Sequence, residues 1–427
     1  MDISKIHSFF LLCASVSIDT RKILTDSFFV ALKGTNFDAN TFAKQALENG
    51  AAYVVIDNRD YYIDERTILV EDTLNCLQEL AKYHRNYLKT PIIALTGSNG
   101  KTTTKELFQA VLSQKYITKA TVGNLNNHIG VPLTLLSFTK ETEIGIVEMG
   151  ANHQQEIAFL CDLAMPDFGY ITNFGKAHLE GFGGVEGVIK GKSEMYDFLQ
   201  KFNKKAFVNF DDDIQFEKTT SIDRIVFSLV NHEADVFIDK VEVNPFVKVV
   251  YDGSDIQSNL IGLYNATNII AAITVGKYFE VALNDIKRGI ESYIPENNRS
   301  QIIFKNGNEI ILDAYNANPS SIDVALDNFI QLKKANKVII IGDMFELGDE
   351  SKKEHQTIVN KLISQVDFTC FLIGKEFYNS KIESNYLNFF LSFEDFSNFL
   401  KQNKFENDFI LIKGSRGMAL ERTLDFL

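Results

Sequence analysis

Cysteine is scarce in this sequence: Cys13, Cys76, Cys161 and Cys370 lie far apart among 427 residues and form no CxxC pair. That spacing excludes a disulfide framework and reads as free buried thiols in a reducing cytosol. Basic residues are in deficit, 43 Lys and Arg against 56 Asp and Glu, for a formal net charge of −13. A nucleic-acid partner needs a basic footprint, so that class of function is disfavoured. Local phosphate binding through backbone amides, a few lysines and metal ions stays open. Long hydrophobic runs are missing too. Phe9 to Ile18 is about half the length of a membrane span, and the segment before it contains Asp2 and little positive charge. It reads as a small amphipathic helix followed by a strand, not as a signal segment. No repeat, low-complexity tract or long linker is visible. The expectation is a cytoplasmic protein that engages neither membrane nor nucleic acid.

What is present is a globular composition, 45% hydrophobic and 23% charged, at a length that suggests two or three domains of about 150 residues. Residues 1–88 mix strand runs, Phe28 to Leu32 and Ala51 to Ile56, with a helix from Phe42 to Asn49 stopped by Gly50. Residues 89–297 open on the apolar run Pro91 to Thr96. Strand candidates Ile144 to Glu148, Phe168 to Thr172 and Ala206 to Asn209 follow, alternating with helical stretches. Residues 298–427 repeat that rhythm with Glu309 to Leu312, Lys337 to Ile341, Cys370 to Ile373 and Phe409 to Ile412. Alternating strands and helices predict an α/β protein with doubly wound parallel sheets.

The strongest local signal is Gly97, Ser98, Asn99, Gly100, Lys101, Thr102 and Thr103 between the strand Pro91 to Thr96 and a helix-like stretch from Thr104 to Leu112. Glycines let the backbone curl so that its N–H groups meet phosphate oxygens, and a helix start adds partial positive charge. Lys101 would span the outer phosphates and the Thr102 hydroxyl would ligate Mg²⁺. The usual loop has a glycine where Leu95 stands. Glu148, at the carboxyl end of its strand run, is a hard oxygen ligand where open α/β sheets bind their ligands. Asn265 and Asn268, three apart, share a helix face.

TGSNGKTT resembles the phosphate loop of the Mur ligases and of folylpolyglutamate synthases, and the match to the Mur ligases continues along nearly the whole chain. Gly123 to Pro132 resembles their GN…NN.IG.P segment, Glu148-Met149-Gly150 their magnesium-binding glutamate, and Ile171 to Glu180 their TN.G.AHL. segment. Lys190-Gly-Lys192-Ser-Glu-Met-Tyr resembles the helix that carries a carbamylated lysine. Ile261 to Asn268 resembles G.HN..N, with Tyr264 replacing histidine. Pro295 to Arg299 resembles the P..GR hinge, with Asn298 replacing glycine, and Asp313 to Ser320 resembles DD.YNANP.S. Gly342 to Gly348 and Lys413 to Met418 resemble the GDM.ELG and KGSRGM loops of the branch that adds D-alanyl-D-alanine, while a DNPR motif is absent.

The resemblance implies three domains: an N-terminal α/β domain binding UDP, a central P-loop ATPase domain and a C-terminal Rossmann-like domain receiving a dipeptide. It implies a cytoplasmic, monomeric enzyme of peptidoglycan precursor synthesis whose substrates are UDP-N-acetylmuramoyl tripeptide, D-alanyl-D-alanine and ATP. ATP would phosphorylate the unreactive substrate carboxylate, and the amine would then displace phosphate. Thr102, Glu148, His178 and carbamylated Lys192 would hold two Mg²⁺, with Lys101 beside them as a further catalytic group. Asn265, Asn268, Arg299 and Asp313 would join the phosphate loop in binding ATP. Thr20, Arg21, Lys33 and Gly34 would bind the uridine diphosphate end. Asn126, Asn127, Tyr315, Asn316, Asn318, Lys413, Ser415 and Arg416 would contact the remaining substrate. The competing readings are folylpolyglutamate synthase, a P-loop kinase or switch, and a non-catalytic scaffold.

Overall fold

The computed structural model describes residues 2–296, 298–364 and 368–427. Its N-terminal unit is a four-stranded parallel sheet, Ser15–Ser17, Ser27–Val30, Ala51–Ile56 and Thr67–Leu69 side by side. Alternation along the second strand decides what each face buries. Phe28 and Val30 face the helices Ile3–Phe10 and Thr73–Leu88, while Phe29 packs with Ala43, Ala46 and Leu47 from the helix Ala43–Glu48. Gly50, φ 106°, follows that helix, and Lys89, φ 58°, ends Thr73–Leu88.

The helix Thr73–Leu88 also packs against the central unit, so both units share one core. Arg85 is buried on this helix; its guanidinium donates to the Ala164 and Met165 carbonyls and pairs with Asp167 at 2.9 Å. The central sheet has seven parallel strands. Ile92–Thr96 lies in its interior, flanked by Ile144–Glu148 on one side and Phe168–Ile171 on the other. The chain leaves Ile92–Thr96 toward the Ile144–Glu148 side and later crosses to the Phe168–Ile171 side. The carboxyl ends of these three strands therefore frame a topological switch point.

A three-stranded antiparallel sheet, Lys240–Val243, Phe246–Tyr251 and Ser254–Ile261, follows the parallel sheet, and the sequence reading had not anticipated it. Its inward residues Val247, Val249, Ile256 and Leu260 cover the core beneath the helices Lys101–Leu112 and Tyr264–Tyr278. The C-terminal unit is a six-stranded sheet: the hairpin Gln301–Lys305 and Asn308–Asp313, then Phe409–Lys413, Lys337–Gly342, Thr369–Ile373 and Leu387–Phe390 in parallel. The boundary anticipated at residue 297 falls outside the described residues. Among the described residues no helix is long and apolar enough to cross a membrane. All four cysteines are free, and burial raises their thiol pKa values, to about 11 at Cys76 and about 12 at Cys370.

His7 and His84 join the first helix to Thr73–Leu88. His7 Nε2 lies 3.0 Å from His84 Nδ1, and His84 Nε2 lies 3.0 Å from the Phe138 carbonyl, inside an aromatic cluster with Phe10 and Tyr87. Burial first, and the neighbouring His84 second, lower the His7 pKa from 6.5 to about 4. The unfolded chain therefore takes up a proton near pH 6.5 that the folded chain refuses. This contribution is fully present above pH 6.5 and is lost as pH falls toward 4, by roughly 2 kcal/mol. Urea unfolding between pH 7 and 4.5 should show that slope. His7→Gln, which cannot titrate, should make it shallower, the remainder belonging to His84, whose pKa burial also lowers.

Candidate active site

Gly97 leaves the strand Ile92–Thr96 at φ 145°, and a Cβ there would sit 1.9 Å from the Thr172 hydroxyl. Gly100, φ 79°, starts the helix Lys101–Leu112, where a Cβ would sit 2.9 Å from Asn268 Oδ1. Only glycine fits either position. The neighbouring strand end holds the loop. Ser98 N donates to the Asn173 carbonyl at 3.0 Å, Ser98 Oγ to the Gly175 carbonyl at 2.6 Å and Thr172 Oγ1 to the Asn99 carbonyl at 2.6 Å. Lys101 Nζ folds back on the Gly97 and Ser98 carbonyls at 2.7 and 3.3 Å. The amides of Lys101, Thr102 and Thr103 open the helix without helical acceptors, as a phosphate requires. Leu95, where the usual loop has glycine, is a buried strand residue in the central core.

Glu148 ends its strand almost fully buried. Its Oε1 accepts from Asn126 Nδ2 at 2.8 Å and from the Thr102 hydroxyl at 3.3 Å, while Oε2 is buried with no donor. A buried carboxylate oxygen left without a partner is costly unless a cation completes it. Lys192, on the helix Val185–Lys201, is 1% exposed and makes no ion pair among the described residues; its amine lies 5.3 Å from the Phe182 ring centre. Burial, then Lys101, holds that amine well below the usual lysine range. His178 hydrogen-bonds through Nδ1 to Glu346 of the C-terminal unit, and its pKa is lowered by burial against the pull of Glu346. Among the described residues no cluster of three His, Cys, Asp or Glu side chains could hold a metal alone. The open Glu148 oxygen and the Thr102 hydroxyl nevertheless fit a hard cation shared with phosphate oxygens.

Ser98 to Thr103, Glu148 and His178 line one cavity of about 780 Å³ at the seam between the central and C-terminal units. Every residue expected to bind nucleotide lines it except Gly97, as do Asn126, Asn127, Tyr315, Asn316 and Asn318. Asn265 and Asn268 share a helix face, but their amides are engaged internally. Asn268 Nδ2 donates to Asn265 Oδ1 at 2.9 Å, Asn265 Nδ2 to the Ile261 carbonyl at 2.8 Å, and Asn268 Oδ1 accepts from Thr104 at 3.1 Å. They shape the wall more than they offer free donors. Tyr264, in the place of histidine, contacts the Ser300 hydroxyl at 2.8 Å. The Arg299 guanidinium stacks 3.7 Å from the Tyr315 ring centre.

Other residues are placed differently from the expectation. Lys413 lines the cavity but is 3% exposed and paired with Asp313 at 2.5 Å, so it presents no free cation to an incoming carboxylate. Ser415 is buried, accepting from Phe345 N at 3.0 Å and donating to the Ala317 carbonyl at 3.3 Å. Arg416 is exposed and pairs with Glu421 at 2.7 Å. Lys192, Ser415 and Arg416 lie outside the cavity lining. Thr20, Arg21, Lys33 and Gly34 sit on the N-terminal unit, away from that lining. Arg21 pairs with Asp19 at 2.8 Å and Lys33 with Asp57 at 2.8 Å, while Gly34 belongs to the hairpin facing Phe37.

Contacts across the seam escaped the sequence reading. Asn318 caps the helix Pro319–Gln331 and donates through Nδ2 to Asn99 Oδ1 at 2.7 Å. Lys176 N donates to Ser320 Oγ at 2.8 Å, and Lys176 Nζ pairs with Glu354 at 2.6 Å. The motif residues Asn99 and Asn318 were visible; their meeting across 219 positions was not.

Models of known families match most of the chain. The Mur ligase catalytic-domain model covers residues 13–85, the Mur ligase middle-domain model residues 95–276 and the Mur ligase glutamate-ligase-domain model residues 298–416. The UDP-N-acetylmuramoyl-tripeptide–D-alanyl-D-alanine ligase of Bacillus subtilis (strain 168) is 34% identical, over 95% of this chain and 91% of that protein. The crystal structure of MurF from Acinetobacter baumannii superposes with a TM-score of 0.84 at 32% identity, over 96% of this chain and 92% of that one. MurF ligase from Thermotoga maritima in complex with ADP superposes with a TM-score of 0.83 at 27% identity, over 98% and 97%.

The loop geometry makes a sharp prediction. In Gly97→Ala, the Cβ collides with Thr172 Oγ1 in a backbone conformation that L side chains rarely adopt. Isothermal titration with ADP should show binding weakened by about 100-fold or more, a loss of about 3 kcal/mol. Thr172→Gly should not be equally damaging, since it removes one hydrogen bond and leaves the glycine hinge intact.

Proposed function

The chain belongs to the Mur ligase family, and on that premise we propose that it joins D-alanyl-D-alanine to UDP-N-acetylmuramoyl tripeptide at the expense of ATP. It is an ATP-dependent peptide ligase. The observation that carries the reading is the presence, in one cavity, of a glycine-hinged phosphate loop and a buried Glu148 oxygen lacking a donor, opposite loops of the C-terminal unit. The dipeptide and UDP-tripeptide specificity follows from the named relatives, whose identity extends over all three units. We assign the N-terminal unit to the uridine diphosphate end, the central unit to ATP and the C-terminal unit to the dipeptide.

A carboxylate does not react with an amine at neutral pH. ATP supplies the phosphoryl group that turns one carboxylate oxygen into part of a leaving group, and Mg²⁺ offsets the charge gathered there. The protein's task is to bind, orient and keep water out. The amides of the Lys101–Thr103 turn cradle phosphate oxygens, and Lys101 exchanges its hold on the Gly97 and Ser98 carbonyls for them. Thr102 and Glu148 would hold one cation. His178 and Lys192, the latter as its carbamate, would hold a second; carbamate formation would need the neutral amine that burial favours. Arg299, steadied on Tyr315, brings positive charge from the far side of the seam. Docking of the C-terminal unit shields the activated carboxyl group from hydrolysis.

Phosphate release measured with purified protein, ATP and Mg²⁺ should require both UDP-N-acetylmuramoyl tripeptide and D-alanyl-D-alanine. Release that needs neither, or that a folate and glutamate support instead, overturns the assignment. Stripping CO₂ should lower the rate and bicarbonate should restore it. Lys192→Ala should lose about 100-fold or more in kcat and ignore bicarbonate. An unmodified parent rate in CO₂-free buffer would refute the carbamate.

A further inference from the structure

Two non-glycine residues in left-handed backbone conformations face each other across the seam. His178, φ 53°, precedes the short helix Leu179–Phe182 in the central unit, and Glu346, φ 61°, lies in the loop after the strand Lys337–Gly342 in the C-terminal unit. Such conformations persist where surrounding structure imposes them, and they cluster at functional contacts. Here the imidazole Nδ1 and the Glu346 carboxylate are hydrogen-bonded. The backbone adds a second tie, Glu180 N donating to the Glu346 carbonyl at 3.2 Å. Gly348, φ 55°, allows the approach: a Cβ there would already be 3.2 Å from the Glu180 Cβ. Beneath the contact, Leu179 and Phe182 pack into the same core as Met344 and Leu347. The loop is thus fixed from two sides, and His178 Nε2 has no hydrogen-bond partner among the described residues.

We propose that Glu346 is a positioning residue for the metal site. By accepting the Nδ1 proton of His178 it fixes the tautomer that leaves the Nε2 lone pair free for a divalent cation. A carboxylate on the far ring nitrogen orients a histidine ligand and raises its basicity, and losing it costs about 10–100-fold in metal affinity. Because Glu346 belongs to the C-terminal unit, the site becomes competent only when that unit is docked. The ligand set is finished by the same movement that covers the reaction. This inference rests on the metal-assisted ligase reading above. Its residue-level content, that Glu346 acts through His178, is separate from the identity of the substrates.

The test uses the full chain, Mn²⁺ as the probe cation and a non-hydrolysable ATP analogue, with free Mn²⁺ followed by electron paramagnetic resonance. Glu346→Ala should weaken Mn²⁺ binding by about 10–100-fold at an unchanged melting temperature, the residue being half exposed. Glu346→Gln keeps an acceptor oxygen and should recover part of the loss. In a His178→Ala background, Glu346→Ala should add nothing. Parent-like Mn²⁺ affinity in Glu346→Ala, no recovery in Glu346→Gln, or a full additive loss in the His178→Ala background would each overturn the proposal. Absence of tripeptide-dependent phosphate release in the parent would refute the ligase reading and leave this binding cycle decisive on its own terms.

Discussion

The balance of charge in a desolvated cavity governs the rest of this structure. Lys101 feels both Arg299 and the buried acid Glu148, one of whose oxygens is unpaired, and Lys192 in turn feels Lys101. Burial lowers the Lys101 pKa, and Arg299 lowers it further against the attraction of Glu148. Lys192 is disfavoured as a cation by burial and then by Lys101. A site left in that condition is electrostatically unfinished: a buried lysine, Lys101, is held below its usual range beside a carboxylate oxygen with no donor. Polyanionic phosphate, a hard cation and conversion of one amine to an anion would each relieve part of it.

The scaffold that sustains this arrangement is ordinary in its parts. Parallel strands place all their carboxyl ends on one edge of the central sheet. Because the chain reverses direction around Ile92–Thr96, the phosphate loop, Glu148 and the Thr172–His178 segment converge there. Apolar packing supplies the rigidity. The strand Ile92–Thr96 is wholly buried, with Ile93 and Leu95 in one core and Ile92 and Ala94 in the other. Polar ties from Thr172 and Asn173 then fix a loop that glycine had left free to bend. The hydrophobic effect sets the position of the sheet, and the hydrogen bonds set the shape of the pocket.

Much of this was legible in the sequence because it is local. Apolar runs bounded by turn residues gave the parallel strands, and a glycine pair before a lysine gave the phosphate loop in its strand-to-helix setting. The antiparallel sheet from Lys240 to Ile261 escaped notice although Val247, Val249, Ile256 and Leu260 follow a period of two. Such a pattern marks a half-buried strand without saying which strand it pairs with. The misreading of Lys413 has the same origin. A lysine in a strand-end loop looks like an anion receptor, but its partner Asp313 is 100 positions away, and burial of the lysine against that carboxylate turns a candidate ligand into a structural ion pair. Asn265 and Asn268 show the converse. Their spacing correctly placed them on one face, but only the three-dimensional neighbours reveal that each amide is already engaged.

The seam therefore combines the two kinds of information. Residues within one unit specify loops and strand ends, and the contacts of Asn99 with Asn318 and of Lys176 with Glu354 join them. The latter pair sets a half-exposed Lys176 against a buried Glu354, and the apolar overlap with the C-terminal core comes from a few central-unit residues, Leu179, Phe182, Val188 and Ile261. A seam held this way is stable enough to define a site and weak enough to be biased by what occupies it. A ligand that touches both the phosphate loop and Arg299 binds the docked state better than the undocked one, and docking must by the same measure tighten the ligand. Placing the reactive cavity between units, instead of within one, makes occupancy and water exclusion a single linked equilibrium.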